Sequence, residues 1–220
     1  MTLRRIELLR VADGAPAGAV GGLENALRNA ADHCPIRRVR LARSVTLRHG
    51  WTHVWEQEYA DTAALDAYMR DSYHWSVIDP FFDATSPTAI VERVNVVTYD
   101  DSDAAGPTGW PEDGLRRLLI IRIADGADPD AIIALRDAIV AGGTELPLRG
   151  WRLATAMPHP THRWSLVWEQ LFDNDDALSE YMRHPFHWTR IDPFFDPEHP
   201  AVIVSAVTMA YYRIAATDAA

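Results

Sequence analysis

Two tyrosine–histidine pairs are the residues of this chain best suited to chemistry. Tyr68 precedes His74 by six residues, and Tyr181 precedes His187 by the same interval. Imidazole titrates near neutral pH, so it can take a proton from a carbon beside a carbonyl. A nearby phenol can donate a hydrogen bond to the oxyanion that develops. His53 is a further imidazole, set between Trp51 and Trp55. Arg5 and Arg117 are guanidinium groups that, at a cavity mouth, suit a carboxylate or phenolate through bidentate contact. Each has a plainer structural alternative. The histidines could bond backbone at a helix end, and the tyrosines could be core residues with a satisfied hydroxyl. His53 could be a partnered core residue, and the arginines could be solvated strand ends.

These residues recur because the chain repeats itself. Trp51 to Asp83 and Trp164 to Asp196 align without a gap at an offset of 113 residues, with 18 of 33 positions identical. A period this long is the size of a small domain, not of a solenoid unit. The organisation expected is a first repeat over 1–99, a linker over 100–113, a second repeat over 114–214 and a frayed tail over 215–220. The linker is rich in Gly, Pro and Asp and has no periodicity.

The elements that must position these residues follow from hydrophobic period. Arg4 to Ala12 and Arg116 to Ala124 are β-like apolar runs. Val20, Leu23, Leu27, Ala30 and Ala31 recur at helical spacing, as do Ile132, Leu135, Ile139 and Val140. Val39, Leu41, Val45 and Leu47 alternate with polar residues at strand period. The Trp-rich run follows as another strand after a turn near His49-Gly50. Asp61-Thr62 and Asn174-Asp175 offer helix N-caps. Pro80 and Pro193 break the chain after a second short helix. Ala89 to Tyr99 and Ala201 to Tyr212 make a last strand. Each repeat is then β-α-β-β-α-β, an α+β, ferredoxin-like unit with one four-stranded antiparallel sheet and helices on one face.

The other face needs a cover. Trp51, His53, Trp55, Gln57 and Tyr59 share one side of their strand, and Trp164, Leu166, Trp168, Gln170 and Phe172 share the matching side. An apolar sheet face of this size invites association. The expectation is that these two faces meet and close an intramolecular barrel whose interior holds the imidazoles and phenols.

The run Tyr181-Met182-Arg183-His184-Pro185-Phe186-His187, with the order of the elements, resembles the stress-responsive dimeric α/β-barrel family. The first repeat keeps the Tyr and the last His but has Asp71-Ser72 in place of His-Pro. The resemblance implies a fold in which two four-stranded sheets form a barrel, here from one chain. It also implies cofactor-free chemistry of the polyketide-cyclase kind, with no metal. His74 and His187 match the family base, Tyr68 and Tyr181 the hydrogen-bond donor, and His53 an auxiliary histidine. Where cyclase-like members carry a histidine on the first strand, this chain has Arg5 and Arg117, which become candidate anion anchors. Trp51, Trp55, Trp164 and Trp168 are candidate walls for a hydrophobic or aromatic ligand.

Composition sets the remaining bounds. A net charge of −10 argues against a nucleic-acid or anionic-membrane binder. A lone cysteine, Cys34, allows no intrachain disulfide and fits a cytoplasmic protein. No apolar run is long enough to span a membrane. The expectation is a cofactor-independent lyase, cyclase, decarboxylase or isomerase acting on an aromatic or polyketide-like molecule, with a homodimer of the whole chain as a possible assembly. The alternatives are a non-catalytic, stress-protective or ligand-binding barrel and a cofactor-free oxygenase.

Overall fold

The computed structural model describes residues 2–107, 111 and 113–213. The expected tail over 215–220 lies outside the described residues. In the first repeat the elements are β1 (Leu3–Val11), α1 (Ala17–Arg28), α2 (Ala30–His33), β2 (Arg38–Arg43), β3 (His53–Tyr59), α3 (Thr62–Met69) and β4 (Val91–Asp100). In the second they are β5 (Leu115–Ile123), α4 (Pro129–Glu145), β6 (Gly150–Thr155), β7 (Leu166–Phe172), α5 (Asp175–Arg183) and β8 (Val204–Arg213). A π-helical turn and a 3-10 turn follow α3 (His74–Ile78, Asp79–Phe81) and α5 (His187–Ile191, Asp192–Phe194). The Asp61 carboxylate accepts from the Ala64 amide at 2.9 Å, and the Asn174 carbonyl accepts from Ala177 at 3.0 Å, so both short helices start on the side chains expected. Gly50 takes φ +78° in the turn before β3, where a side chain would be strained.

The strands form two antiparallel sheets, ordered β2-β3-β1-β4 and β6-β7-β5-β8. Directly opposed residues share a face. Arg5 opposes Gln57, Glu7 opposes Trp55 and Leu9 opposes His53, so these six lie on one side of the first sheet. Ile6, opposite Glu56, and Leu8, opposite Val54, lie on the other. The first side packs under the helices, where Leu9, Trp55 and Tyr59 join Leu23, Leu27, Tyr68 and Ile78 in one core. A matching core holds Trp168, Phe172, Tyr181 and Ile191 in the second repeat. The second side meets the other sheet, with Ile6, Leu8, Val54 and Val97 against Leu118, Ile120, Val167 and Ala210.

The sheets do face each other, but through the faces opposite to those expected. Trp55 and Trp168 lie beneath the helices, not between the sheets. Trp51 precedes β3, and it does reach the inter-sheet core, with Trp164 packed against the same cluster. Period-two alternation separates two faces without saying which one the helices cover. Glu56 and Glu169, which point away from Trp55 and Trp168, are both buried between the sheets. Arg4 reaches Glu56 at 2.8 Å and Glu169 at 3.3 Å, while Arg116 and Arg40 reach Glu56 at 3.3 and 3.4 Å. Tyr212 donates to Glu56 at 2.7 Å and Tyr99 donates to Glu169. Burial opposes ionisation of Glu56, but Arg116, Arg4 and Arg40 outweigh it and hold the carboxyl well below its usual range.

The barrel is also less closed than expected. Among the described residues the sheet edges meet at isolated bridges, Ser44 with Tyr212 and Tyr99 with Ala156. The Val45 amide donates to the Tyr211 carbonyl at 2.8 Å, and Met157 donates to Thr98 at 2.7 Å. No continuous ladder joins the sheets among the described residues. The interior holds packed side chains and ion pairs rather than the expected ligand cavity. Part of the expected linker is anchored, since Ala105 and Leu153 exchange backbone hydrogen bonds at 2.9 Å.

Candidate functional site

Space for a ligand lies between each sheet and its helices. In the first repeat a pocket of about 240 Å³ is lined by Arg5, Glu7, Trp55, Tyr68, His74 and Phe82, among others. In the second a pocket of about 180 Å³ is lined by Arg117, Leu119, Trp168, His187, Phe195 and Met209, among others. Cavities for drug-sized ligands span about 300–1,000 Å³. These pockets therefore suit a compact molecule, smaller than most drug-sized ligands.

The floor of each pocket is sheet, because Arg5, Glu7 and Trp55 project from the helix side of β1 and β3. The roof comes from the chain after α3 or α5. His74 and His187 open the two π-helical turns. Such turns are rare and often found at functional sites. The Asp-Pro that follows ends each turn, and Phe82 and Phe195 from the shared Ile-Asp-Pro-Phe-Phe-Asp run close one wall.

The histidine environments match. His74 is buried, with its ring 4.6 Å from that of Tyr68. His187 is buried, 4.9 Å from Tyr181. Neither Nδ1 has a hydrogen-bond partner among the described residues. The backbone bond that a purely structural histidine would make is therefore absent at both Nδ1 atoms. Burial lowers the His187 pKa to about 4, with Arg117 adding to the effect. Burial, then Arg5, lowers His74 as well, while Glu7, Asp79 and Asp71 oppose the change. Both rings are neutral near pH 7 and able to accept a proton. Burial raises the pKa of Tyr68 and Tyr181, so both phenols stay protonated as donors.

The arginines differ. Arg5 pairs with Glu7 and donates to Gln57 Oε1 at 3.2 Å. Gln57 Nε2 donates to the same Glu7 oxygen at 2.8 Å. In the second repeat Leu119 stands where Glu7 would be. Arg117 donates to Gln170 Oε1 at 3.1 Å and contacts Met209 Sδ at 3.4 Å. Its guanidinium lies 5.6 and 5.7 Å from the ring centres of Tyr181 and Tyr211.

The structure thus gathers Arg5, Trp55, Tyr68 and His74 at one pocket, and Arg117, Trp168 and His187 at the other, with Tyr181 buried behind the His187 ring rather than in the lining. It leaves out His53. That ring is buried beneath α1, with Nε2 3.1 Å from Glu24 and Nδ1 2.9 Å from Thr52. Trp51 and Trp164 are elsewhere too, their indoles donating to Thr208 and Asn95 at 2.7 Å. Sequence reasoning missed Glu7 and the two glutamines. The signal was present, because aligning Arg4-Arg5-Ile6-Glu7 with Arg116-Arg117-Leu118-Leu119 sets a carboxylate against a leucine. Among the described residues, no group of three or more His, Cys, Asp or Glu could hold a metal ion. No helix among them is long and apolar enough to cross a membrane.

Residues 3–95 match the family described as Stress responsive A/B Barrel Domain. The first repeat thus resembles a stress-responsive A/B barrel domain. That match spans nearly all of the first repeat, and the fold repeats the arrangement in the second. No curated protein matches the chain in sequence. Solved structures share the fold at low identity. An anthrone oxidase-like protein is 10% identical, with 97% of this chain and 91% of that chain covered and a TM-score of 0.68. A proposed monooxygenase from Fusobacterium nucleatum is 10% identical, covering 97% and 92%, with a TM-score of 0.63. Chlorite dismutase from Candidatus Nitrospira defluvii is 8% identical, covering 99% and 92%, with a TM-score of 0.59. At these identities the likeness is one of fold.

Proposed function

We propose that this protein is an acid–base enzyme, working without a cofactor, whose substrate is a compact aromatic molecule with an acidic carbon–hydrogen bond. The observation that carries this reading is a neutral, buried imidazole with an unpartnered Nδ1, present in both repeats beside a tyrosine and an arginine. His74 or His187 takes the proton from carbon. Tyr68 or Tyr181 holds the negative charge that moves to the carbonyl oxygen, and in the second repeat Arg117 adds to it. Trp55 or Trp168 forms the apolar floor. Cyclisation, decarboxylation and isomerisation can each begin from such an anion.

A second reading is a cofactor-free oxygenase, in which the same anion gives its electrons to dioxygen. The names of two fold relatives, an anthrone oxidase-like protein and a proposed monooxygenase, favour it. The two readings share the first step and part at the second. Deuterium exchange at the methylene carbon of anthrone in heavy water, followed by NMR, reports the first step. Oxygen uptake in the same mixture reports the second. The expected result is exchange accelerated by the protein and lost in the double variant His74→Ala, His187→Ala. Equal exchange by that variant, folded by circular dichroism, rules out the histidines as bases.

A further inference from the structure

The first repeat shows how this scaffold holds a carboxylate. Arg5 Nη1 and Gln57 Nε2 both donate to one oxygen of Glu7, deep at the sheet end of the pocket. The second repeat keeps the donors and lacks the acceptor. Arg117 and Gln170 occupy the matching positions, and position 119 is leucine. Arg117 is buried and no carboxylate pairs with it among the described residues. Its Nε, Gln170 Nε2 and the Tyr181 hydroxyl are all buried without a hydrogen-bond partner among those residues. A buried, unpaired cation is costly, and buried donors are nearly always satisfied. Here the charge has only neutral neighbours: an amide oxygen, a thioether and two tyrosine rings.

We infer that the second repeat's pocket is an anion site, built to take the carboxylate of a small aromatic acid at Arg117, whereas the first pocket has its anion built in as Glu7. The ring of such a ligand would lie on the apolar wall of Trp168 and Phe195, and both residues line the pocket with Arg117. A groove of about 600 Å³ adjoins this pocket at Met182 and is lined by Arg48, His49, Arg183 and Tyr211, among others. It joins the first repeat's β2–β3 loop to α5 and carries Asp175 as well as Arg48 and Arg183. The two pockets therefore differ in ligand class: an aromatic carboxylate in the second, a neutral aromatic in the first. This inference rests on reading the pockets as small-molecule sites.

Isothermal titration of the full chain with salicylate, and with benzyl alcohol as the neutral control, tests it. One salicylate per chain is expected. Arg117→Gln should weaken it by tenfold or more, the scale of losing a charge-assisted contact. Leu119→Glu installs the internal carboxylate of the first repeat and should abolish salicylate binding in a folded protein. Glu7→Leu should raise the stoichiometry to two. Salicylate binding by a protein that shows no exchange chemistry would leave the anion site standing without the acid–base reading, so the two results are separate. The inference is overturned by unchanged salicylate affinity in Arg117→Gln or Leu119→Glu. It is equally overturned by two sites in the unaltered protein, or by no salicylate binding at millimolar concentration.

Discussion

The two repeats place the same arginine, tyrosine, histidine and tryptophan at matching positions, and their pockets differ at the residue that sets the charge. In the first, Glu7 neutralises Arg5 and draws in Gln57. In the second, Leu119 leaves Arg117 among neutral groups. The difference reaches the histidines. Burial drives the His187 ring down to about 4, and Arg117 reinforces it. His74 has three carboxylates working against Arg5. Duplication thus lets one half keep a closed ion pair while the other keeps an open cation. A bound anion at Arg117 would lift His187 towards a more useful basicity, since a general base works best with a pKa near the working pH.

Exchanging the distinguishing residue should have the largest effect. Glu7→Leu leaves Arg5 buried without its carboxylate, and breaking such a pair costs about 3–5 kcal/mol. Urea unfolding would read this as a lower midpoint. Adding Arg5→Met should recover most of the loss, because an apolar replacement of both partners is close to neutral. The reciprocal change, Leu119→Glu, should raise stability by about 1 kcal/mol, because it supplies a charge-assisted partner to Arg117. If Leu119→Glu destabilises by as much as Glu7→Leu, the contrast between open and closed pockets is wrong.

The next effect is on pH dependence. His187 has a native pKa of about 4, against about 6.5 in an unfolded chain. Above pH 6.5 neither state is protonated and the group is silent. As pH falls from 6.5 to 4 the unfolded chain takes up a proton that the native ring refuses, so stability declines across that window. His187→Asn should flatten this part of the urea midpoint profile. Arg117→Gln should move the His187 titration up towards its ordinary range, visible by NMR, because it removes the charge that reinforces burial. An unshifted titration would mean that burial alone sets the value.

Much of the scaffold was legible because local signals are strong. The 113-residue offset exposed the duplication. Strand and helix periods gave the element order, and Asp61 and Asn174 cap as their positions implied. Tyr68, His74, Tyr181 and His187 stood out through the motif of the family that the chain resembles, and the fold brings each pair into ring contact. What failed was the assignment of faces. The sheets are buried on both sides, so alternation carried no polarity signal, and Glu56 lies between the sheets with Arg4, Arg40 and Arg116 around it. Those partners come from three strands across two repeats, and no local window contains them. The place of the pocket followed the faces, so an interior cavity was expected where the space is under the helices.

The smallest effect concerns His53, which the sequence placed with the other histidines and the structure does not. Glu24 accepts its Nε2 and also pairs with Arg43 at 2.6 Å and Arg28 at 3.3 Å. In the second repeat both members of the pair are replaced together, His53 by Leu166 and Glu24 by Arg136, whose guanidinium donates instead to Thr155 at 3.2 Å. Joint replacement at one place is what a packing contact predicts, since neither partner has value without the other. His53→Leu should therefore cost only about 1 kcal/mol, the net worth of one hydrogen bond, because the arginines keep Glu24 satisfied. Exchange at anthrone should be unchanged by the same substitution. A large loss of exchange with little loss of stability would return His53 to the site and show that the first pocket extends beneath α1.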